Sequence, residues 1–81
     1  PRVTVINALI ELFGLTPAEA KVALSLSNGL SIGDMARQNA ISRNTVRSQV
    51  RSIFSKMGIN RQSQLIRTTL ISVALFSLKH E

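Results

Sequence analysis

The sequence contains no cysteine, tryptophan or tyrosine, and it has one histidine and four acidic residues among its 81 residues. Without cysteine the chain can form neither a disulfide bond nor a zinc finger, and it has no thiol for catalysis. The single histidine, His80, cannot build a metal site by itself, so no cofactor is expected. Because the three phenylalanines are its only aromatic residues, the chain also lacks a platform on which single-stranded bases could stack.

The same shortage of reactive side chains argues against an enzyme. The sequence shows no paired carboxylates, no activated nucleophile and no glycine-rich phosphate loop. Its first residues lack the basic, apolar and small-residue order of a signal peptide. The run 68–78 carries no charge but has only eleven residues, well short of the ~20 needed to span a bilayer. We therefore expect no enzymatic activity, no membrane partner and a cytoplasmic location.

Positive charge is what the chain has in excess, and that charge is clustered. The formal net charge is +6, and the segment 37–67 holds seven arginines or lysines without a single acidic residue. Such a distribution favours a polyanionic partner. The apolar content of 44% is ordinary for a folded protein, and the length suits one small domain.

Capping signals and apolar spacing predict helices along the whole chain and no strand. The opening stretch has apolar residues at helical spacing up to Gly14, which is suited to a helix C-terminus. A second helix starts with Thr16 as N-cap, Pro17 at the first helical position and Glu19 placed to bond back to the cap. The dipeptide Asn28-Gly29 ends it.

A short third helix and a tight turn follow. Ser31 and Asp34 form the next capping box, and the helix runs to about Gln38, although Gly33 weakens it by up to ~1 kcal/mol relative to alanine. The three residues 39–41 are enough only for a turn.

The fourth predicted helix is long and cationic. Ser42 caps it, Gly58 ends it, and its apolar residues form a stripe about 100° wide, namely Val46, Val50, Ile53, Phe54 and Met57. Asn60 is the expected cap of a final helix rich in leucine and isoleucine. The sequence thus predicts an all-α fold, a compact four-helix helix-turn-helix domain over 15–81 with an additional N-terminal helix or linker over 1–14.

Two helices joined by about three residues, the second of them cationic, indicate a helix-turn-helix that binds double-stranded DNA. Arginine can form two bonds to guanine, and asparagine and serine reach other base edges. The predicted base-facing residues are Asn44, Arg47, Ser48 and Arg51. Residues at the start and the edges of the helix suit the phosphates, and the predicted phosphate-facing set is Ser42, Arg43, Thr45, Gln49, Lys56 and Arg61. Capping alone would also explain Ser42 and Thr45, and Gln49 could instead cover the core.

Several separated segments carry a family resemblance: LTPAE at 15–19, GLS at 29–31, ISRNTVR at 41–47 and IFSKMGI at 53–59, with Ala36 and Arg61. In this order and spacing they resemble the C-terminal DNA-binding domain of LuxR/FixJ-type bacterial transcriptional regulators, over about residues 15 to 76. The resemblance implies a recognition helix in the major groove and a last helix that can pair two copies. It also implies regulation by an upstream sensor or receiver domain, and the absence of an initiator methionine agrees with a fragment.

Two positions depart from the pattern of that family. It usually has an apolar residue where Asn39 stands, and often glycine where Ala40 stands. We therefore expect Asn39 to adopt the left-handed conformation in place of that glycine, which would preserve the turn. The resemblance places the positions of Arg47, Ser48 and Arg51 at the bases, and it places those of Ser42, Thr45 and Lys56 near the backbone. These placements agree with the base-facing and phosphate-facing sets predicted above.

The final helix is apolar on nearly all sides, which leaves two interpretations. One side could pack on the core and the other on the N-terminal helix. Alternatively, the helix also forms a two-fold interface between two copies. We expect a homodimer with an interface of Arg67, Leu70, Ile71 and Ala74.

Two other functions fit parts of the sequence. The first is region 4 of a sigma factor, which has a similar helix-turn-helix and would bind core RNA polymerase. RNA polymerase is therefore a further candidate partner. The second is a protein-interaction module that docks through the apolar last helix, with the basic side facing an acidic protein.

Overall fold

The computed structural model describes residues 2–79, with side chains from Thr4 onward. The expectation for His80 lies outside the described residues. Within them the chain forms five α-helices and no strand, which confirms the all-α prediction with its additional N-terminal helix. The helices are α1 (Arg2–Phe13), α2 (Pro17–Ser27), α3 (Ile32–Asn39), α4 (Arg43–Met57) and α5 (Gln62–Lys79).

Local capping fixes the starts of α2 and α3 as predicted. The Thr16 hydroxyl accepts from the Glu19 N–H at 3.1 Å, and the Glu19 carboxylate accepts from the Thr16 N–H at 2.9 Å. Ser31 and Asp34 make the same reciprocal pair at 3.0 Å in both directions. Each box satisfies two N–H groups that a helix start leaves without partners, so both helix starts are confirmed.

The turn between α3 and α4 differs from the prediction. Ala40, with φ of 53° and ψ of 43°, adopts the left-handed conformation, whereas Asn39 stays in α3. The Asn39 amide donates to the Met35 carbonyl at 2.9 Å, which ties this side chain to its own helix. The prediction for Asn39 is therefore wrong, and a residue with a Cβ carries the strained conformation.

The start of α5 is also built differently. The predicted cap, Asn60, lies two residues before the helix, and its backbone N–H donates to Gln64 Oε1 at 3.0 Å. The Arg61 N–H donates to the same oxygen at 3.2 Å. A side chain inside the helix thus reaches back to cap it, and the prediction of an Asn60 cap is wrong.

One apolar core joins all five helices. Its largest fully buried side chains come from α1, α3, α4 and α5, namely Leu9, Met35, Val46, Ile53 and Leu65. The helix α1 packs against both α2 and α5, and α4 packs against α2 and α3. The core therefore includes α1, while the predicted division of the chain at residue 14 stays a prediction. Among the described helices, none combines the length and apolar character that crossing a bilayer requires.

Candidate nucleic-acid interface

The helix α4 turns one side to the core and the opposite side to solvent. Val46, Ile53 and Met57 are buried. At ~100° per residue, the direction opposite to them holds five exposed polar residues, which we call the outer face: Asn44, Arg47, Ser48, Arg51 and Ser55. All four residues predicted to face the bases lie on this outer face. Their contact with bases stays a prediction.

Within residues 4–79, the arginines of the outer face, Arg47 and Arg51, have no acidic partner. Arg47 Nη1 donates to Asn44 Oδ1 at 3.0 Å, a contact between two members of the outer face. Both guanidinium groups therefore keep their full charge and most of their donors for an external anion.

The first turn of α4 is capped by its own side chains. The Ser42 hydroxyl accepts from the Thr45 N–H at 3.0 Å and lies 2.9 Å from the Thr45 hydroxyl. Both side chains are exposed. Capping is thus shown for Ser42, while the predicted phosphate contacts of Ser42 and Thr45 are not tested by this geometry.

On one flank of the outer face, a buried carboxylate ties α4 to α2. Glu19 is almost completely buried, and its carboxylate accepts from Lys56 Nζ at 2.7 Å and from the Ser52 hydroxyl at 2.5 Å. These bonds, followed in importance by the one from the Thr16 N–H, lower the pKa of Glu19 from 4.5 to about 2. Lys56 is therefore held at its α2 side, and only its remaining donors can reach a phosphate.

On the other flank, Arg43 reaches back over α3. The side chain of Arg43 itself is exposed at the start of α4, and its guanidinium lies against Gly33 in the first turn of α3. Arg37 on the same helix is paired with Asp34 at 2.5 Å. Hydrogen bonds from the N–H and hydroxyl of Ser31 hold the pKa of Asp34 below its usual value, and the Arg37 charge adds to this effect.

The remaining predicted phosphate residues differ in accessibility. Arg61 is exposed in the segment between α4 and α5. Gln49 is half-buried, and its Oε1 is buried without a hydrogen-bond partner among the described residues. Gln49 therefore covers the core at least in part, which was the alternative to a phosphate contact. Its contact with a phosphate stays a prediction.

The helix α5 presents a broad apolar surface to solvent. Leu65, Thr69 and Ser72 are buried, and the opposite side, which we call the α5 face, holds Arg67, Leu70, Ile71, Ala74 and Leu78. Leu70 is 67% exposed and Leu78 is 69% exposed. Although α1 packs on α5, it does not cover this face. Packing on α1 alone therefore does not account for the apolar side chains of α5.

Sequence reasoning missed the two contacts that hold α4 from its flanks. Glu19 was identified only as part of a capping box, although it also bonds Ser52 and Lys56 over more than thirty residues. The four-residue spacing of Ser52 and Lys56 places them on one side of α4, which is a signal for a shared partner but does not name it. For the contact of Arg43 with Gly33, the sequence gives no signal.

Family comparison agrees with this geometry. The family of bacterial regulatory proteins described as the luxR family matches residues 14–69, which is more than half of the chain. The matched part includes α2, α3 and α4 completely and the first eight residues of α5. Comparisons with curated proteins and with solved structures give no match. The chain therefore belongs to the luxR family of bacterial regulatory proteins, and it is a DNA-binding helix-turn-helix domain of a transcriptional regulator.

Proposed function

We propose that this domain binds specific double-stranded DNA sequences with α4 in the major groove. Asn44, Arg47, Ser48 and Arg51 contact base edges, and the flanks of α4 contact the phosphates of the two strands. Ser42, Arg43 and Thr45 meet the backbone at the start of the helix, with Gln49, Lys56 and Arg61 farther along it. In this arrangement the buried side of α4 keeps the helix on the domain while the outer face enters the groove.

The observation that carries the proposal is the exposed, acid-free outer face of α4. A solvated surface helix in an ordinary protein usually pairs part of its cations with acids on the same helix. Here Arg47 and Arg51 have no acidic partner in the part of the chain that the structure describes. The two free guanidinium groups fit the paired acceptors of guanine.

We further propose that two copies pair through the α5 face, with Arg67, Leu70, Ile71 and Ala74 in the contact. Exposed apolar side chains at 55% for Ile71 and 67% for Leu70 favour such a contact over full solvation. A two-fold pair would present two recognition helices to half-sites ~34 Å apart. Residues 1–14 would then connect an upstream sensor domain to 15–81, in a cytoplasmic regulator.

Selection of bound duplexes from a random pool, followed by mobility shifts at physiological salt, tests the proposal. Arg47→Ala should cost about 1–3 kcal/mol at the selected site and relax the base preference at one position. Lys21→Ala is the matched control, because Lys21 is an exposed cation on α2 and is not part of the outer face. It removes the same charge and should leave the base preference unchanged.

Lys56→Ala is the corresponding test of a phosphate contact, and it should weaken binding to all sequences about equally. Because this change also leaves the Glu19 carboxylate without its ammonium partner, the folded fraction must be measured for the same sample. Equal losses on selected and random DNA for Arg47→Ala would contradict its role at the bases. Absence of any shift with the unchanged protein would favour a protein-interaction module, and binding of core RNA polymerase by the domain would favour sigma-factor region 4.

A further inference from the structure

Gly33 provides a bare backbone surface on which the Arg43 guanidinium rests. A Cβ at position 33 would lie 3.1 Å from Arg43 Nη2, 3.5 Å from Cζ and 3.6 Å from Nε. The approach of Nη2 is tighter than an ordinary contact, whereas Cζ and Nε would lie at ordinary contact distance, so a side chain here would displace the guanidinium by a few tenths of an ångström. The contact joins the first residue of α4 to the first turn of α3 across the helix-turn-helix.

The same contact explains why a poor helix former is useful in α3. Glycine weakens a helix interior, and α3 has only eight residues. Gly33 is nevertheless half-buried, because the guanidinium covers it. An arginine side chain has several rotatable bonds and loses conformational entropy when it binds. Contact with Gly33 already orders the Arg43 side chain in the free protein, so less entropy is lost on binding.

We propose that Gly33 is a positioning residue for the contact between Arg43 and a DNA phosphate. The inference rests on the proposed insertion of α4 into the major groove. In that arrangement Arg43 borders the outer face on the α3 side. A guanidinium held against α3 therefore faces the DNA strand on that side of α4. Arg43 touches the phosphate, and Gly33 acts only through Arg43.

The ion pair of Arg37 supports assigning the phosphate contact to Arg43 and not to Arg37. Arg37 lies one turn after Gly33 on α3, but it already forms an ion pair with Asp34 at 2.5 Å. Arg43 has no such acidic partner among residues 4–79. Of the two guanidinium groups beside the first turn of α3, Arg43 is therefore the one with a charge available for a phosphate.

Salt dependence of DNA binding by the full chain provides the test, with a duplex that the unchanged protein binds. Arg43→Ala should lower the slope of log affinity against log salt by about 0.9, which corresponds to about fivefold weaker binding near 0.15 M salt. Gly33→Ala should lower the slope in the same direction, although alanine is the better helix former and the Tm should stay equal or rise. The double variant Gly33→Ala with Arg43→Ala should bind like Arg43→Ala alone.

A signal from the free protein separates positioning from a general structural effect. The Arg43 Nε–H resonance should have a distinct position in the ¹⁵N–¹H spectrum and should move toward that of a solvated arginine in Gly33→Ala. If Gly33→Ala binds DNA with an unchanged slope, or if its effect adds to that of Arg43→Ala, the inference is wrong. If the unchanged protein binds no duplex at all, the proposed function itself fails, so the two failures are distinct.

Discussion

The buried Glu19 carboxylate predicts a specific loss of stability in acid. Its pKa is about 2 in the folded protein against an ordinary 4.5, because Lys56, Ser52 and Thr16 donate to its charged form. A group whose folded pKa is lowered stabilises the fold above its unfolded pKa, and this contribution disappears as the pH falls through the folded pKa. The contribution should therefore be complete above about pH 5 and should be lost between about pH 4.5 and pH 2.

The size of the effect follows from the two pKa values. At ~1.36 kcal/mol per pH unit, the difference corresponds to about 3 kcal/mol. Because the Lys56 side chain is 36% exposed, solvent screens part of this interaction, and we expect about 2 kcal/mol. For a domain of this size, Glu19→Gln should accordingly lower the Tm at pH 7 by about 8–16 °C.

Urea unfolding followed by circular dichroism at a series of pH values measures the effect. The unchanged protein should lose stability between pH 5 and pH 2 more steeply than Glu19→Gln, by about 2 kcal/mol in total. Asp34→Asn is the matched control, since Asp34 has the same place in a capping box but is much more exposed. It should reduce the acid dependence less than Glu19→Gln does.

A cycle with Lys56→Met separates the ion pair from simple loss of a charge. The double variant should be more stable than the sum of the two single losses predicts, because Lys56→Met alone leaves the buried Glu19 carboxylate without its ammonium partner and the double variant does not. If Glu19→Gln showed the same acid dependence as the unchanged protein, the assignment of the low pKa to this cluster would be refuted.

Two further predictions concern the turn and the α5 face. Ala40→Gly should raise the free energy of unfolding by about 0.5–1 kcal/mol, because glycine relieves the strain of the left-handed conformation. This gain exceeds the larger loss of backbone entropy that glycine suffers on folding. A lower Tm would contradict this account of the turn. Leu70→Glu should leave the helical content unchanged and shift sedimentation equilibrium toward the monomer. Asn7→Glu adds an equal charge at an exposed site on α1 and should leave the association unchanged. Unchanged association of Leu70→Glu would remove the α5 face from the proposed dimer.

The starts and ends of most helices could be predicted because their causes lie within a few residues. Thr16 with Glu19 and Ser31 with Asp34 signal their capping boxes in the sequence, and Gly14 and Gly58 both have positive φ at helix ends. The buried stripe of α4 likewise follows from helical periodicity. Local chemistry therefore accounts for the order of the elements and for the exposed side of α4.

The predictions from sequence fail where the conformation or partner of a residue depends on distant or competing contacts. Asn39 was expected to adopt the left-handed conformation because asparagine tolerates it, but its amide instead bonds within α3, so Ala40 takes the strain. Asn60 lost its role as cap to Gln64, which reaches back along the chain. The bonds of Glu19 to Ser52 and Lys56 depend on how α2 packs on α4, which no local pattern specifies.

The separation between the two sides of α4 has an evolutionary consequence. The contacts that attach this helix to the domain use its buried stripe and its flanks. Within residues 4–79, the outer face makes only one side-chain hydrogen bond, which joins Arg47 to Asn44. Exposed positions of this kind usually tolerate substitution within about 0.5 kcal/mol of stability. Under the proposed function, changes on the outer face would alter the preferred DNA sequence one residue at a time, while the rest of the domain continues to fold.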